Sequence, residues 1–333
     1  VQHNFLAGER NELTWGFGYR YTSGKIDGSS TVKFVPSTDN LNLFSGFVQD
    51  EVTIVPDRVK LTLGTKVEHT EFSGWELEPG GRLGWTPNDH NTLWASVARA
   101  VRTPTLSEEH SHFNQVEQTP FGPAVVQISG NQDFQSEKLT AYEAGYRVHP
   151  CDKASFDLAG FFNMYSDLRS VEMGAPAFPF IPATLANGLY GNTYGFEAAA
   201  TIEAVSWWRL NPSYTLLKME LHQRRSSTDT TSAAQQEGQN PQQQFSLHSG
   251  MDLPHNVTLD ATLRYVDSLP SLHVESYVTM DARVAWRATK NLELALVGQD
   301  LFTPAHAEFR PTQVQNQPAN VPRSFYAKVT WHF

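Results

Sequence analysis

The residues of this 333-residue chain best suited to chemistry lie in two short polar stretches. "SEEHSH" carries Glu108, Glu109, His110 and His112. Carboxylate and imidazole together can bind a transition metal. The spacing matches no established metal signature, and His110 and His112 would point to opposite faces of an extended segment. The plainer reading is a hydrated loop, so no metal is assigned. "HQRR" sets Arg224 beside Arg225, and guanidinium forks suit an anionic ligand such as a carboxylate-bearing chelate. The plainer reading there is an ordinary polar loop. In "APAFPFIPATL", Phe178, Phe180 and Ile181 are apolar within a polar neighbourhood. They could contact a ligand, bind a partner, or fold over an opening beneath them; the last is preferred because exposed apolar patches are rare. Catalytic constellations are missing: there is no G-x-S-x-G, H-E-x-x-H or C-x-x-C. No glycine-rich phosphate cradle follows a strand and opens a helix. Neither an enzyme nor a bound cofactor is expected.

Composition narrows what could position these residues. A formal net charge of −10 argues against nucleic acid, which calls for a basic stripe. Mean hydropathy of −0.40 excludes a helical membrane protein, and no segment approaches the roughly 18 uninterrupted apolar residues of a spanning helix. A membrane barrel is not excluded, because only alternate residues of its strands meet lipid. The single cysteine, Cys151 in the turn "HPCDK", allows no internal disulfide and reads as an unreactive thiol. The chain opens "VQHNFLAGER", with neither a basic n-region nor an apolar h-region. For an exported protein this is not the native N-terminus, and a fragment is expected.

Period-two runs recur from end to end. Val59, Leu61, Leu63 and Val67 alternate with Lys60, Thr62, Lys66 and Glu68. Val278, Met280, Ala282, Val284 and Trp286 alternate with Thr279, Asp281 and Arg283. Phe156, Leu158, Phe162, Met164 and Leu168 are set against Asp157, Asn163 and Asp167. Such alternation describes strands with one apolar and one polar face. We count about 14 of them, most near the ~10 residues a tilted membrane strand needs, and no convincing helix interrupts them.

The connections alternate between short and long. Short ones lie at 55–58, 87–90, 149–153, 205–207, 253–256 and 288–291; long polar ones lie at about 24–40, 103–137, 173–184, 222–242, 267–275 and 303–322. The junction at Gly74 breaks the rule by being short. This asymmetry matches an outer-membrane barrel with tight periplasmic turns and long extracellular loops. Six of the eight tryptophans fall near the short-turn end or the C-terminus, and Trp85, Trp208, Trp286 and Trp331 sit on the apolar parity. An aromatic girdle at a membrane interface has this arrangement. The final "SFYAKVTWHF" places Phe325, Ala327, Val329, Trp331 and Phe333 toward lipid and Lys328 and Thr330 toward the lumen. Asp50, Glu51, Lys66, Glu68, Glu143 and Arg147 also fall on strands, and those on the polar face would line the lumen.

"FSGFVQDEVTIVPDRVKLTLGTKVEH", "LGWTPNDHNTLWASVARAVRTPT", "GNQDFQSEKLTAYEAGYR" and "VPRSFYAKVTWHF", in that order, resemble the barrel of a TonB-dependent outer-membrane receptor. The resemblance spans nearly the whole chain and implies an all-β, antiparallel transmembrane β-barrel. The family's barrel has 22 strands, plugged by an N-terminal globular domain. Residues 1–333 then read as the C-terminal portion of that barrel, with no plug domain and no TonB-contacting segment. A closed 14-stranded barrel is geometrically allowed, but the chain matches the tail of a longer pattern. The implied function is TonB-energised uptake of a scarce small-molecule nutrient across the outer membrane of a Gram-negative bacterium. An iron–siderophore complex is the first expectation, while Glu108, Glu109, His110, His112, Phe178, Phe180, Arg224 and Arg225 are the candidate ligand residues. The implied partners are the lipid bilayer, TonB through a plug not in this chain, and the insertion machinery that reads a terminal aromatic, here Phe333. Trp85, Trp208, Trp286, Trp331 and Phe333 are the expected interface anchors. A passive channel or adhesive scaffold without energy coupling is the competing expectation.

Overall fold

A computed structural model of the chain describes residues 1–29, 31–120, 122–310 and 319–333. In chain order the first strands are β1 (Gln2–Leu6), β2 (Asn11–Lys25), β3 (Val32–Phe34), β4 (Thr38–Val55), β5 (Val59–Thr70), β6 (Gly74–Asn88) and β7 (Asn91–Arg102). Helix α1 (Leu106–His110), β8 (Ser111–Thr119) and β9 (Gly122–Ser129) occupy the longest connection. Then come β10 (Glu137–Cys151), β11 (Ala154–Met173), β12 (Phe180–Val205), β13 (Trp208–Gln223), helix α2 (Ser232–Glu237) and β14 (Gln243–Leu253). The last are β15 (Val257–Val266), β16 (Tyr277–Arg287), β17 (Leu292–Gln299), the short β18 (Ala305–His306) and β19 (Val321–Pro322), and β20 (Ser324–Trp331).

Fifteen of these form one antiparallel meander among the described residues: β1, β2, β4–β7, β10–β17 and β20, each paired to the next. The count exceeds the expected 14 by the five-residue β1. Fifteen is odd, so β1 and β20 run in the same direction and cannot close on each other through an antiparallel seam. Apart from the junction at Gly74, the short connections fall at one end and the long ones at the other, as expected; residues 311–318 of the last long connection lie outside the described residues. Gly74 explains the short exception: its φ of +66° makes the tight turn from β5 into β6. The two helices, of five and six residues, lie inside long connections and leave the meander unbroken.

Cross-strand register keeps the apolar parities on one face, Leu168 excepted. One row runs Ala327, Leu296, Val284, Leu259, Met251 and Trp208. Another runs Phe245, Tyr214, Ala198, Leu158, Tyr146, Leu93, Trp85 and Val59. Leu296 is 68% exposed and Trp331 60% exposed, values that only a lipid solvent makes sensible for so extended an apolar band. Trp85, Trp286 and Trp331 are exposed on this face, and Trp208 donates its indole N–H to Ser249 Oγ at 2.9 Å.

The opposite face carries paired charge. Arg283 reaches Asp260 at 3.1 Å and Glu293 at 2.5 Å, Arg264 reaches Asp281 at 2.7 Å, and Lys66 reaches Glu68 at 2.6 Å and Glu78 at 3.1 Å. Glu51, Glu143 and Arg147 lie on the same face by register. There too Arg82 stacks on Trp94, whose indole covers Gly145; any β-carbon at Gly145 would collide with it. Asp50 departs from this pattern. It lies on the apolar face opposite Leu13 and Leu63, where Asn11 Nδ2 donates to it at 2.6 Å near the short-turn end. Leu168 departs as well: a bulge between Tyr165 and Leu168, with Asp167 at φ +59°, moves it to the face opposite Leu158 and Met164.

Candidate functional site at the long-loop mouth

Above the wall, three long connections are knitted by hydrogen-bonded strands. β3 pairs with β8, β8 with β9, and β9 runs parallel to the first residues of β12, Phe180–Thr184. β3 connects β2 to β4, and β12 lies six strands beyond β4 along the wall. The β3–β8–β9–β12 chain therefore joins distant parts of the wall without following it, as a strap at the mouth. β12 can accept β9 because β13 pairs only as far as Leu189, leaving the upper edge of β12 free.

Helix α1 seats the strap. Thr105 caps it and forms a reciprocal capping box with Glu108. Glu108 is only 3% exposed and takes a forked bond from Arg102, at 3.0 and 2.7 Å. Arg102 Nε also donates to Glu137 at 2.8 Å, and Arg169 stands 4.0 Å from Glu108. Burial opposes the Glu108 charge, but hydrogen bonds from Arg102 and Thr105 more than offset it and hold the carboxyl below its ordinary range. Glu109 is 6% exposed, and its Oε1 has no hydrogen-bond partner among the described residues. Burial, with Asp133 and Glu108 nearby, pushes its carboxyl up to about 7.

The hydrated loop expected at 107–112 is thus corrected: α1 turns both glutamates inward, where capping and Arg102 compensate one and the other keeps an oxygen without a partner among the described residues. His110 stands 3.7 Å from Asp39 and edge-on to Phe72, while His112 bonds Ser129 at 3.1 Å, so the two imidazoles serve different neighbours. Among the described residues no group of three or more acidic, histidine or cysteine side chains could hold a metal ion.

Arg224 donates to Asp167 at 2.6 Å, and Lys138 holds the same carboxylate at 2.8 Å. Arg225 is exposed beside it. Phe178 and Phe180 are 60% and 48% exposed. Sequence reasoning missed Asp167 as a hub, and it missed Glu172. Glu172 accepts from Ser170 at 2.6 Å, Ser227 at 2.8 Å and Thr228 Oγ1 at 3.0 Å, which fastens the 224–242 connection to β11. No local signal marks either residue, because the cations on Asp167 lie 29 and 57 positions away and the partners of Glu172 lie up to 56 away. A cavity of about 470 Å³ lies between β13, α2 and residues 267–271, lined by Leu217, Met219, Asn240, Gln242 and Asp267.

Residues 1–301 match the family described as TonB dependent receptor-like, beta-barrel. No curated protein matches the chain. Among solved structures, the siderophore receptor PirA from Acinetobacter baumannii is similar at a TM-score of 0.75 and 16% identity, over 100% of this chain and 53% of that one. The ferric enterobactin receptor PfeA from Pseudomonas aeruginosa, in complex with enterobactin, gives a TM-score of 0.75 at 18% identity over 99% and 53%. The copper transporter OprC gives 0.69 at 14% identity over 98% and 56%. The chain thus spans about half the length of these structures. A two-faced antiparallel wall, loops gathered at one end and a family match over most of its length agree: the chain belongs to the TonB-dependent receptor-like β-barrel family of the Gram-negative outer membrane.

Proposed function

We propose that the chain forms the C-terminal part of a receptor barrel that takes up a scarce nutrient as an anionic chelate, with a ferric siderophore as the leading substrate. The observation that carries this reading is a group of cationic side chains gathered at the mouth. Arg102, Lys138, Arg169, Arg224 and Arg225 stand among Glu108, Glu137 and Asp167. Guanidinium groups half open to solvent can exchange a carboxylate partner for an incoming anionic oxygen. The charged inner face of the wall suits contact with a plug domain, through which TonB would deliver energy.

The test uses cells expressing the protein that carries this chain, starved of iron and supplied with a ferric chelate. Chelate-dependent iron uptake that stops when the proton-motive force is collapsed is expected, and uptake indifferent to that force would favour a passive channel. Arg224→Ala with Arg225→Ala should weaken chelate binding by roughly 10-fold or more, the scale of about 1.5–3 kcal/mol for bonds to charged groups. Unchanged affinity in a titration would remove both arginines from the site. Phe333 is fully exposed on the lipid parity after β20. Deleting it should lower outer-membrane levels while leaving chelate affinity of the inserted fraction unchanged; normal levels would deny it a role in assembly.

A further inference from the structure

The strap is anchored at α1, and α1 holds a carboxyl group with no partner for one of its oxygens. We infer that Glu109 makes the strap a pH-sensitive latch, seated while its carboxyl carries a proton and loosened when that proton leaves.

The geometry isolates Glu109. On its own element Glu108 is already satisfied by Arg102 and Thr105, so no cation is left over for its neighbour. From the connector after β9 the facing group is another carboxylate, Asp133. Arg169 points to Glu108, and Glu137 occupies the remaining side of Arg102. His110, next along the helix, faces Asp39 at the start of β4, and its Nδ1 is likewise buried without a partner among the described residues. His112 faces Ser129 across the strap. The backbone around Glu109 is pinned at the same time. Asn131 N–H donates to the Glu108 carbonyl at 2.8 Å, Gly130 N–H donates to the Ser111 carbonyl at 2.7 Å, and a β-carbon at Gly130 would strike the Glu109 carbonyl. The backbone that carries Glu109 is therefore held against the 130–134 connector, with Oε1 on the buried side.

A neutral carboxyl tolerates this seat, whereas a charge there is buried, unpaired and opposed by two like charges. Its raised seated pKa of about 7, against 4.5 when free, fixes the sign. The seated strap is most stable below about pH 4.5, loses stability as pH rises toward 7, and levels off above it.

Hydrogen exchange measured by mass spectrometry on the protein carrying this chain, from pH 5 to 8.5 and corrected for intrinsic rates, tests the latch. Protection of residues 105–119 should fall by up to about 10-fold per pH unit below 7 and then flatten, the slope of one linked proton. Glu109→Gln should keep high protection throughout. Asp133→Asn should move the flattening to lower pH, and it decides the matter if Glu109→Gln does not fold. A flat wild-type profile, the wild-type slope in Glu109→Gln, or an unmoved break in Asp133→Asn would each overturn the latch.

Discussion

Leu158→Arg should destabilise the wall in a lipid bilayer by ~2–4 kcal/mol, whereas Thr215→Arg should cost under ~1 kcal/mol. Leu158 stands five residues into β11 on the apolar face, with Tyr146 and Ala198 as its cross-strand neighbours. A strand needs about 10 residues to cross the hydrocarbon, which sets Leu158 near the midplane. An arginine there must lose its hydration or thin the bilayer around it. Thr215 belongs to the opposite face and pairs with Glu197, so a guanidinium at that position gains a neighbouring carboxylate. The check is a urea titration of vesicle-embedded protein, comparing midpoints at constant slope. Equal losses for the two substitutions would show that both faces meet the same solvent.

That contrast also explains how much could be read in advance. Each wall strand carries its own record of which side is which, because every second residue must answer to lipid or to a charged interior. Tryptophans 85, 208, 286 and 331 could be placed on the apolar face from parity alone. Leu168 lies on the face opposite to the one its parity predicts because one extra residue at Asp167 reverses parity, and nothing in "YSDLRS" announces the bulge. Of the strand charges Asp50, Glu51, Lys66, Glu68, Glu143 and Arg147, Asp50 is the one on the apolar face, near the turn end, where Asn11 satisfies one of its oxygens. At the mouth the loss is greater. The β9–β12 pairing, the two cations on Asp167 and the hydroxyls on Glu172 join segments far apart in sequence. Such contacts leave no periodicity. "SEEHSH" reads as hydrated charge because a polar loop cluster normally is, and its counter-ion, Arg102, ends β7 outside the stretch.

Arg102→Ala should release the strap. Removing one partner of a fully buried ion pair costs roughly 3–5 kcal/mol. Arg102 is 44% exposed and Thr105 would still donate to Glu108, so the expected loss is about 2–3 kcal/mol after allowing for solvent. Glu108 would then be left in the interior beside Glu109 with only Arg169, 4.0 Å away, as a source of positive charge. Exchange protection across 105–131 should drop by roughly 30- to 150-fold, the same energy expressed as an opening constant, while the strands on the far side of the wall keep theirs. Arg102→Lys separates charge from shape. An ammonium restores the positive charge but cannot fork onto Glu108 while holding Glu137, so it should recover only part of the protection. Full recovery by lysine would mean that charge alone seats α1, and no loss in Arg102→Ala would mean that the capping box suffices without it.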